Sequence, residues 1–266
     1  DRNDGRLDLE LSDLRSRQSS HHGHNLTMAQ YLDIDGHQVY CYEWDNNGEA
    51  LVLLHGGLSQ TSHFYESVLP AIEDSFHVFG YDRTAHGFTG DREGSMHFEF
   101  QCSEAIAYLE NVVKEPAHLI GHSDGAIIAL MVAMKRPDLV KSVVSFGGNF
   151  HHEGNLELPE WDGFVSPEDR AEYAVTSPDA PGTLDGKISK MFSIWRSEPT
   201  FTVADIEQIK CPVLVLVGDD DVVTHKHSVL LYESIPQGRL AVMPGTSHQA
   251  NKEKPEMFQM FIREFL

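Results

Sequence analysis

Apolar and polar positions divide most of this chain into short apolar runs and longer stretches with helical spacing. Residues 51–54 and 213–217 are apolar at every position, which is typical of strands buried on both faces of a parallel sheet. Further strands are predicted at 76–81, 117–120, 140–146 and 239–243. Apolar residues recur at helical spacing between the strands, and they predict helices at 64–72, 97–111, 124–135, 225–235 and 255–265.

A hairpin is predicted before the first buried strand. Residues 31–34 and 38–44 have strand-like composition and are joined by Asp35-Gly36, a strong turn signal. After this hairpin, strands alternate with helices along most of the chain. The alternation predicts an α/β fold, in which helices cover both faces of a mostly parallel sheet.

Residues from about 150 to 200 interrupt the alternation, because they are rich in proline, acids and aromatics and contain no strand-like run. Ser166 followed by Pro167 is typical of a helix start. One apolar helical stripe comes later, formed by Ile188, Met191, Phe192 and Trp195. An insertion of this length in a compact domain is typical of a lid or binding segment, so we predict a lid. The stripe fits either packing within that lid or the lining of a pocket.

Composition is that of a globular protein with one domain. The 266 residues are 41% hydrophobic, which suffices for a single core. Residues 1–27 are polar, and we expect them to be an N-terminal extension to one domain over 28–266. The net charge of −21 argues against nucleic acid and membrane surfaces as partners, because both are anionic. The sequence leaves the oligomeric state open.

The three cysteines favour a reducing compartment. Cys41, Cys102 and Cys211 are odd in number and unrelated in spacing, which fits neither a disulfide framework nor a zinc site. No run has the length of a membrane span, and the first residues lack the apolar core of a signal peptide. We therefore expect a cytoplasmic protein, with a small-molecule substrate and with no metal or organic cofactor.

The strongest chemical signal is the sequence Gly121-His122-Ser123-Asp124-Gly125, between a predicted strand and a predicted helix. This is the strand, tight turn and helix that a G-x-S-x-G nucleophile elbow requires. The turn forces Ser123 into a strained backbone conformation, and the flanking glycines let the strand and the helix approach each other. The N–H group of Asp124 would then lie at a helix N-terminus, where it can stabilise a developing oxyanion.

Other candidate residues follow other predicted strands. Glycines after the strand at 51–54 can turn N–H groups toward a ligand, so Gly57 is a candidate for the second oxyanion donor. His248 follows the strand at 239–243, and three aspartates, 219–221, follow the strand at 213–217. A serine needs an adjacent base and an orienting acid to become a nucleophile. Because these candidates lie at carboxyl ends of strands, we expect them to meet at one edge of the sheet.

From about Met28 to Leu266 the chain resembles the α/β-hydrolase superfamily, and it is particularly similar to small hydrolases with a lid between the sixth and seventh strands. The segments that carry the resemblance are the elbow and His55-Gly56-Gly57. The family's Gly-x-x-Asp pattern implies that Asp221 is the acid of the triad. The loop after the strand at 76–81 also resembles the family's, although Thr84-Ala85 departs from its usual sequence. We expect Asp82 and Arg83 to hold that loop rather than to perform chemistry.

The residue after the serine has two interpretations. Asp124 resembles the acid of valacyclovirase-like hydrolases, which receives a substrate ammonium group, or it merely complements the helix N-terminus. A serine at position 123 disfavours the haloalkane dehalogenase and epoxide hydrolase branches, whose resemblance would demand an aspartate there.

The sequence predicts a serine hydrolase for a small ester, lactone or amide. Ser123, His248 and Asp221 would be its triad, and Gly57 and Asp124 its oxyanion donors. Substrate contacts are expected from His55, Leu58, Phe192 and Trp195. Two alternatives stay open: a small-molecule receptor that uses the same pocket, and a catalytically idle scaffold. The fold itself does not decide between these functions, because proteins with this fold carry out many different reactions.

Overall fold

One sheet runs through the part of the chain that this computed structural model describes, which is residues 26–161 and 163–266. In that part its eight strands are β1 (Met28–Ile34), β2 (His37–Trp44), β3 (Glu49–Leu54), β4 (Phe76–Tyr81), β5 (Ala117–His122), β6 (Val140–Phe146), β7 (Val213–Asp220) and β8 (Gly238–Ser247). The α-helices are α1 (Phe98–Tyr108), α2 (Asp124–Lys135), α3 (Pro167–Thr176), α4 (Leu184–Trp195), α5 (Val203–Ile206), α6 (His225–Ser234), α7 (Ala250–Glu253) and α8 (Pro255–Phe265).

The strand order is β1-β2-β4-β3-β5-β6-β7-β8. All neighbours from β4 to β8 are parallel, and β1 and β2 add an antiparallel edge. The predicted hairpin is confirmed: Asp35 and Gly36 both have positive φ, 50° and 74°, as the favoured two-residue hairpin turn requires. Parallel pairing brings the carboxyl ends of β3 to β8 to one edge of the sheet.

Alternate residues of β3 belong to two different apolar clusters. Ala50, Val52 and Leu54 pack in a cluster with residues of α1 and α2. Leu51 and Leu53 pack in a second cluster that includes Phe258 and Ile262 of α8. The continuous apolar run of β3 is therefore explained by burial on both faces, and the sheet is covered by helices on both sides. The predicted fold class is confirmed.

The prediction of a helix at 64–72 is wrong. The structure has two short 3₁₀ turns there, Thr61–Phe64 and Leu69–Ala71. Pro70 explains the interruption, because a proline inside a helix removes one backbone hydrogen bond and its ring clashes with the preceding turn. Strand β8 is also longer than predicted: it reaches Ser247, which pairs with Asp220 after a register shift.

The segment that broke the strand and helix alternation lies between β6 and β7 and carries α3 and α4. Helix α3 begins with the predicted cap, since Ser166 Oγ accepts from the N–H of Asp169 and the Asp169 carboxylate accepts from the N–H of Ser166. Helix α4 buries Leu184, Ile188 and Phe192 in an apolar cluster of its own. We call residues 150–200 the insertion.

The predicted N-terminal extension falls mostly outside the described residues, which begin at Leu26. Leu26 packs against the second apolar cluster, and the N–H of Thr27 donates to Glu43 O at 2.8 Å. These two residues therefore contact the domain directly, just before β1 begins. In the described part of the chain, every helix is too short or too polar to cross a bilayer.

Candidate active site

Ser123 occupies a sharp turn between β5 and α2. Its backbone has φ 53° and ψ −117°, a left-handed conformation that costs a non-glycine residue free energy. The flanking glycines explain how the turn is tolerated. A Cβ on Gly121 would lie 2.2 Å from Gly125 O, and a Cβ on Gly125 would lie 1.9 Å from Leu54 O. The sequence thus forms the predicted elbow, with the half-buried Ser123 at its tip.

Two further predicted residues meet at the same edge of the sheet. Asp221 follows β7 and His248 follows β8, and Nδ1 of His248 donates to Oδ1 of Asp221 at 2.7 Å. The Asp221 carboxylate also accepts from the N–H groups of Val223 and Gly218. Burial raises the pKa of Asp221, but these hydrogen bonds outweigh burial and hold the pKa below its ordinary value. An ionised Asp221 favours the tautomer of a neutral His248 that carries its proton on Nδ1 and has a free lone pair on Nε2.

The imidazole of His248 is enclosed by two neighbours. His122 Nε2 donates to the backbone oxygen of His248 at 3.0 Å. Burial and then the charge of His248 lower the pKa of His122 to about 3, so His122 stays neutral. On the other side is Gly147, where a Cβ would lie 2.8 Å from His248 Cε1 and 2.9 Å from Nδ1. Only a glycine at 147 leaves room for the ring.

The two predicted oxyanion donors lie on adjoining loops. Asp124 begins α2, so its N–H has no acceptor within the helix. Gly57 follows β3, and a Cβ there would lie 2.6 Å from Oδ2 of Asp124. The loop after β3 therefore packs directly on the first turn of α2. The two residues are therefore close neighbours beside Ser123.

The Asp124 carboxylate is buried and has protein partners. Trp195 Nε1 of α4 donates to its Oδ1 at 2.9 Å. Arg83 Nη2 lies 3.8 Å from its Oδ2. Burial raises the pKa of Asp124, and the charge of Arg83 and the hydrogen bond from Trp195 act in the opposite direction. Both carboxylate oxygens thus already have a neighbouring donor, which favours the interpretation that Asp124 is part of the scaffold.

Asp82 holds the loop after β4, as predicted. Its carboxylate accepts from the N–H groups of Thr61 and Phe88 and from the hydroxyl of Tyr42. Arg83 also contacts residues outside this loop, which the prediction of local hydrogen bonds did not include. Its guanidinium contacts the loop after β3, helix α1 and Asp124.

A cavity of about 610 Å³ lies between this edge of the sheet and the insertion. Ser123 and His248 line it, together with Gly57, Leu58 and Trp195 among others. The insertion contributes apolar side chains to its lining, such as Leu158, Leu184 and Met191. Polar side chains line it as well: Glu172 and Lys187 from the insertion, and Gln60 and His63 from the segment after β3.

Two residues expected to contact substrate lie elsewhere. His55 is fully buried behind the loop after β3, where its ring nitrogens bond to Gly56 O and the N–H of Arg83. Phe192 is fully buried in the core of the insertion. Neither lines the cavity, because the helical stripe divides: Ile188 and Phe192 face the insertion core, whereas Met191 and Trp195 face the cavity.

Sequence reasoning missed Gly147 and two contacts that fix the insertion. Glu172 of α3 accepts from Gln60 at 2.9 Å and lies 3.3 Å from His63 Nε2. Lys187 of α4 donates to Ala85 O in the loop after β4 at 3.5 Å and contacts Asp179 within the insertion at 2.6 Å. The position of Gly147 directly after β6, at the same sheet edge as Ser123, was a usable signal. The other contacts join residues more than 100 positions apart or loop residues without a motif. Among described residues, we find no cluster of three potential metal-ligating side chains.

Comparison with known proteins agrees with the fold. Residues 51–258 match the model of the alpha/beta hydrolase family. The chain belongs to that family. Its relatives include an (E)-2-((N-methylformamido)methylene)succinate hydrolase of Acinetobacter baylyi, 23% identical over 260 residues, with 90% of this chain and 98% of that protein covered. The serine hydrolase BPHL of Mus musculus is 23% identical over 286 residues, with 98% and 96% covered.

Solved structures of alpha/beta hydrolases share the fold. A meta-cleavage product hydrolase from Pseudomonas fluorescens superposes with a TM-score of 0.75 at 19% identity, over 91% of this chain and 97% of that chain. The chain is therefore a member of a hydrolase enzyme family, and its structure has the fold of that family.

Proposed function

We propose that this protein is a serine hydrolase that cleaves a small carboxylic ester, lactone or amide through an acyl-enzyme. The observation that carries the proposal is the position of Ser123 at the strained elbow, in one cavity with a His248 that is hydrogen-bonded to Asp221. These are the three groups that nucleophilic acyl transfer by serine requires.

In the proposed reaction, Nε2 of His248 takes the proton of Ser123 Oγ as the oxygen attacks the substrate carbonyl. The N–H groups of Gly57 and Asp124 stabilise the resulting oxyanion, and Asp221 stabilises the imidazolium. His248 then gives its proton to the leaving alcohol or amine as that bond breaks. Water, deprotonated by His248, attacks the acyl-enzyme in the second half, and Ser123 Oγ leaves with the proton.

The cavity supports a small substrate. Its volume of about 610 Å³ lies within the range of ordinary small-molecule sites. We infer that the insertion acts as a lid, since Met191 and Trp195 of α4 form part of the cavity wall. The three free cysteines support the cytoplasmic location that the sequence predicts. One relative is named as a serine hydrolase, which supports a serine nucleophile, and another as a hydrolase of (E)-2-((N-methylformamido)methylene)succinate, whose formamido group supports an amide among the targets.

A fluorophosphonate probe and a series of short p-nitrophenyl esters test the proposal. We expect covalent labelling at Ser123 and ester turnover, both lost in Ser123→Ala. Ser59→Ala is the matched control, because Ser59 lines the same cavity but bonds to His63 instead of lying at the elbow. Labelling that survives in Ser123→Ala would sink the assignment of the nucleophile. Tight binding of small esters without labelling or turnover would favour the receptor alternative.

A further inference from the structure

Arg83 is the largest fully buried side chain of the described residues. A charged group is rarely buried to this extent unless it is paired and hydrogen-bonded. Its Nη2 donates to Gly56 O at 2.8 Å, and its Nη1 donates to Gln101 Oε1 at 2.6 Å. Nη2 also lies 3.8 Å from Oδ2 of Asp124. One guanidinium therefore joins the loop after β3 to the residue that follows Ser123.

The contact with Gly56 O determines the direction of a neighbouring N–H group. The oxygen of residue 56 and the N–H of Gly57 belong to one planar peptide unit and point in opposite directions. Holding the oxygen from behind therefore aims the N–H of Gly57 the other way. Glycine at 57 brings no side chain that could fix this peptide, and glycine loops are conformationally permissive. Groups that hold Gly56 O therefore help to fix the orientation of this peptide.

His55 supplies a second donor to the same oxygen. Its Nε2 accepts from the N–H of Arg83 at 3.0 Å, so the proton of the neutral ring is on Nδ1. Nδ1 donates to Gly56 O at 2.8 Å. Burial and then the charge of Arg83 hold the pKa of His55 well below its usual range, which keeps this tautomer neutral. Gly56 O thus accepts from two buried side chains, and the backbone N–H of Arg83 fixes the ring of His55.

Asp124 poses an electrostatic problem for the proposed reaction. Its carboxylate is buried beside Gly57, close to the point where negative charge would develop on the substrate oxygen. Like charges in a site of low dielectric repel strongly, which would raise the barrier. Arg83 offers the nearest positive charge, and Trp195 adds one hydrogen bond.

We propose that Arg83 is a positioning residue for the oxyanion hole: it aims the N–H of Gly57 by holding Gly56 O, and it offsets the charge of Asp124. The inference rests on the proposed serine hydrolase function. Arg83 contacts no reacting atom in this scheme, so its effect reaches the transition state only through the two loops that it joins. Loss of its side chain should weaken binding of the tetrahedral intermediate more than binding of the planar substrate.

The test compares wild type with Arg83→Met, which keeps much of the side-chain volume but has no donor. We expect kcat/KM for a p-nitrophenyl ester to fall tenfold to a hundredfold. Removal of an oxyanion donor itself lowers kcat by about 10²–10³, and the loss of a residue that only positions the donor should not exceed this. KM should change by less than about threefold. Affinity for a trifluoromethyl ketone, which forms a tetrahedral adduct with the serine, should fall in parallel with kcat/KM. Affinity for the matched methyl ketone, which stays planar, should not.

Asp82→Asn is the control for loop stability, because Asp82 holds the same loop but contacts neither Gly56 nor Asp124. It should lower Tm without changing the ratio of the two ketone affinities. Adding Asp124→Asn to Arg83→Met should restore part of the lost kcat/KM, since the unpaired carboxylate is then gone.

An unchanged ketone ratio in Arg83→Met, or the same ratio change in Asp82→Asn, would overturn the inference. Should Arg83→Met fail to fold, Arg83→Lys is used: it keeps the charge near Asp124 but loses the planar donor set, and the same split with smaller amplitude is expected. The proposed function fails separately, if wild-type protein is neither labelled at Ser123 nor active on the ester.

Discussion

The indole N–H of Trp195 lies 2.9 Å from Oδ1 of Asp124, so the insertion is hydrogen-bonded to the residue next to Ser123. This contact bears on the two interpretations of Asp124. An acid that receives a substrate ammonium group needs an oxygen free to accept it. Here one oxygen accepts from Trp195 and the other lies beside Arg83. The geometry favours a carboxylate that ties the insertion to the elbow.

The first prediction concerns Asp124→Asn. The variant keeps the size of the side chain and one oxygen for Trp195, but it removes the charge that Arg83 faces. We expect kcat/KM for amino-acid esters and for neutral esters of equal length to change by the same factor, within about threefold. Steady-state kinetics on both series check this. A loss of tenfold or more that is confined to the amino-acid esters would establish ammonium binding instead.

Trp195→Phe is the matched control, since it removes only the indole donor and keeps an aromatic ring in the cavity wall. If Asp124 ties the insertion to the elbow, this variant should also affect charged and neutral esters alike. Selective loss of one class would mean that Trp195 recognises substrate directly.

The second prediction separates the three consecutive aspartates after β7. Asp221 is buried and accepts from His248, whereas Asp219 is exposed and accepts from the N–H of Thr246 at 3.0 Å. Asp220 is exposed at the end of the strand. Asp221→Asn should lower kcat by roughly 10⁴-fold, because the amide favours the wrong tautomer of the imidazole.

Asp220→Asn and Asp219→Asn serve as controls in the same kinetic assay. Both should retain kcat within about threefold, since an asparagine at 219 can still accept from Thr246. Comparable losses in all three variants would point to a shared electrostatic role of the acidic segment.

Some of these relationships could be predicted from sequence and some could not. The elbow was predictable because its glycines are adjacent in the chain and the clashes that require them are local. The strands were predictable because burial on both faces leaves continuous apolar runs. Position within the sheet then implied that Ser123, Asp221 and His248 converge, since carboxyl ends of parallel strands share one edge.

Side-chain direction was less predictable. Phe192 and Trp195 share one helical stripe, but a stripe is wide enough to face two environments, and only packing decides which residue meets the cavity. His55 precedes a glycine loop at the site, yet its bonds to Arg83 and Gly56 turn the ring into the core. Contacts of this kind depend on loops that are distant in sequence, and no local pattern encodes them.

The third prediction concerns Gly147. Its φ is +60°, and a Cβ there would meet the ring of His248 at 2.8 Å. The alanine must therefore shift the imidazole away from its bond with Asp221 or displace the backbone after β6. We expect Gly147→Ala to lower kcat by about 10²-fold, because misplacement on the order of 1 Å has effects of this size. Gly163→Ala is a suitable control, since Gly163 also has positive φ, 78°, but nothing lies near its Cβ position. Full activity in Gly147→Ala would show that the ring position is not critical.

The last prediction uses the buried histidines to set the dependence of stability on pH. Burial lowers the pKa of His122 to about 3 and that of His227 to about 4, whereas an unfolded chain titrates these groups near pH 6.5. Below that pH the unfolded state binds protons that the folded state excludes. The free energy of unfolding therefore falls as pH falls, by up to about 1.4 kcal/mol per pH unit for each histidine. The loss continues until the folded pKa is reached.

Buried carboxyls act in the opposite direction, because burial raises the pKa of Asp82 and Glu104 and the folded state then takes up protons first. A comparison between wild type and a histidine variant removes their contribution, since both proteins contain them. We expect His122→Gln to lose about 2 kcal/mol less stability than wild type between pH 7 and pH 5, as measured by reversible urea unfolding. His227→Gln lies away from the elbow, at Phe150, and should show the same sign. If wild type and both variants lose stability in parallel over this interval, the two histidines titrate in the folded protein as they do in the unfolded chain.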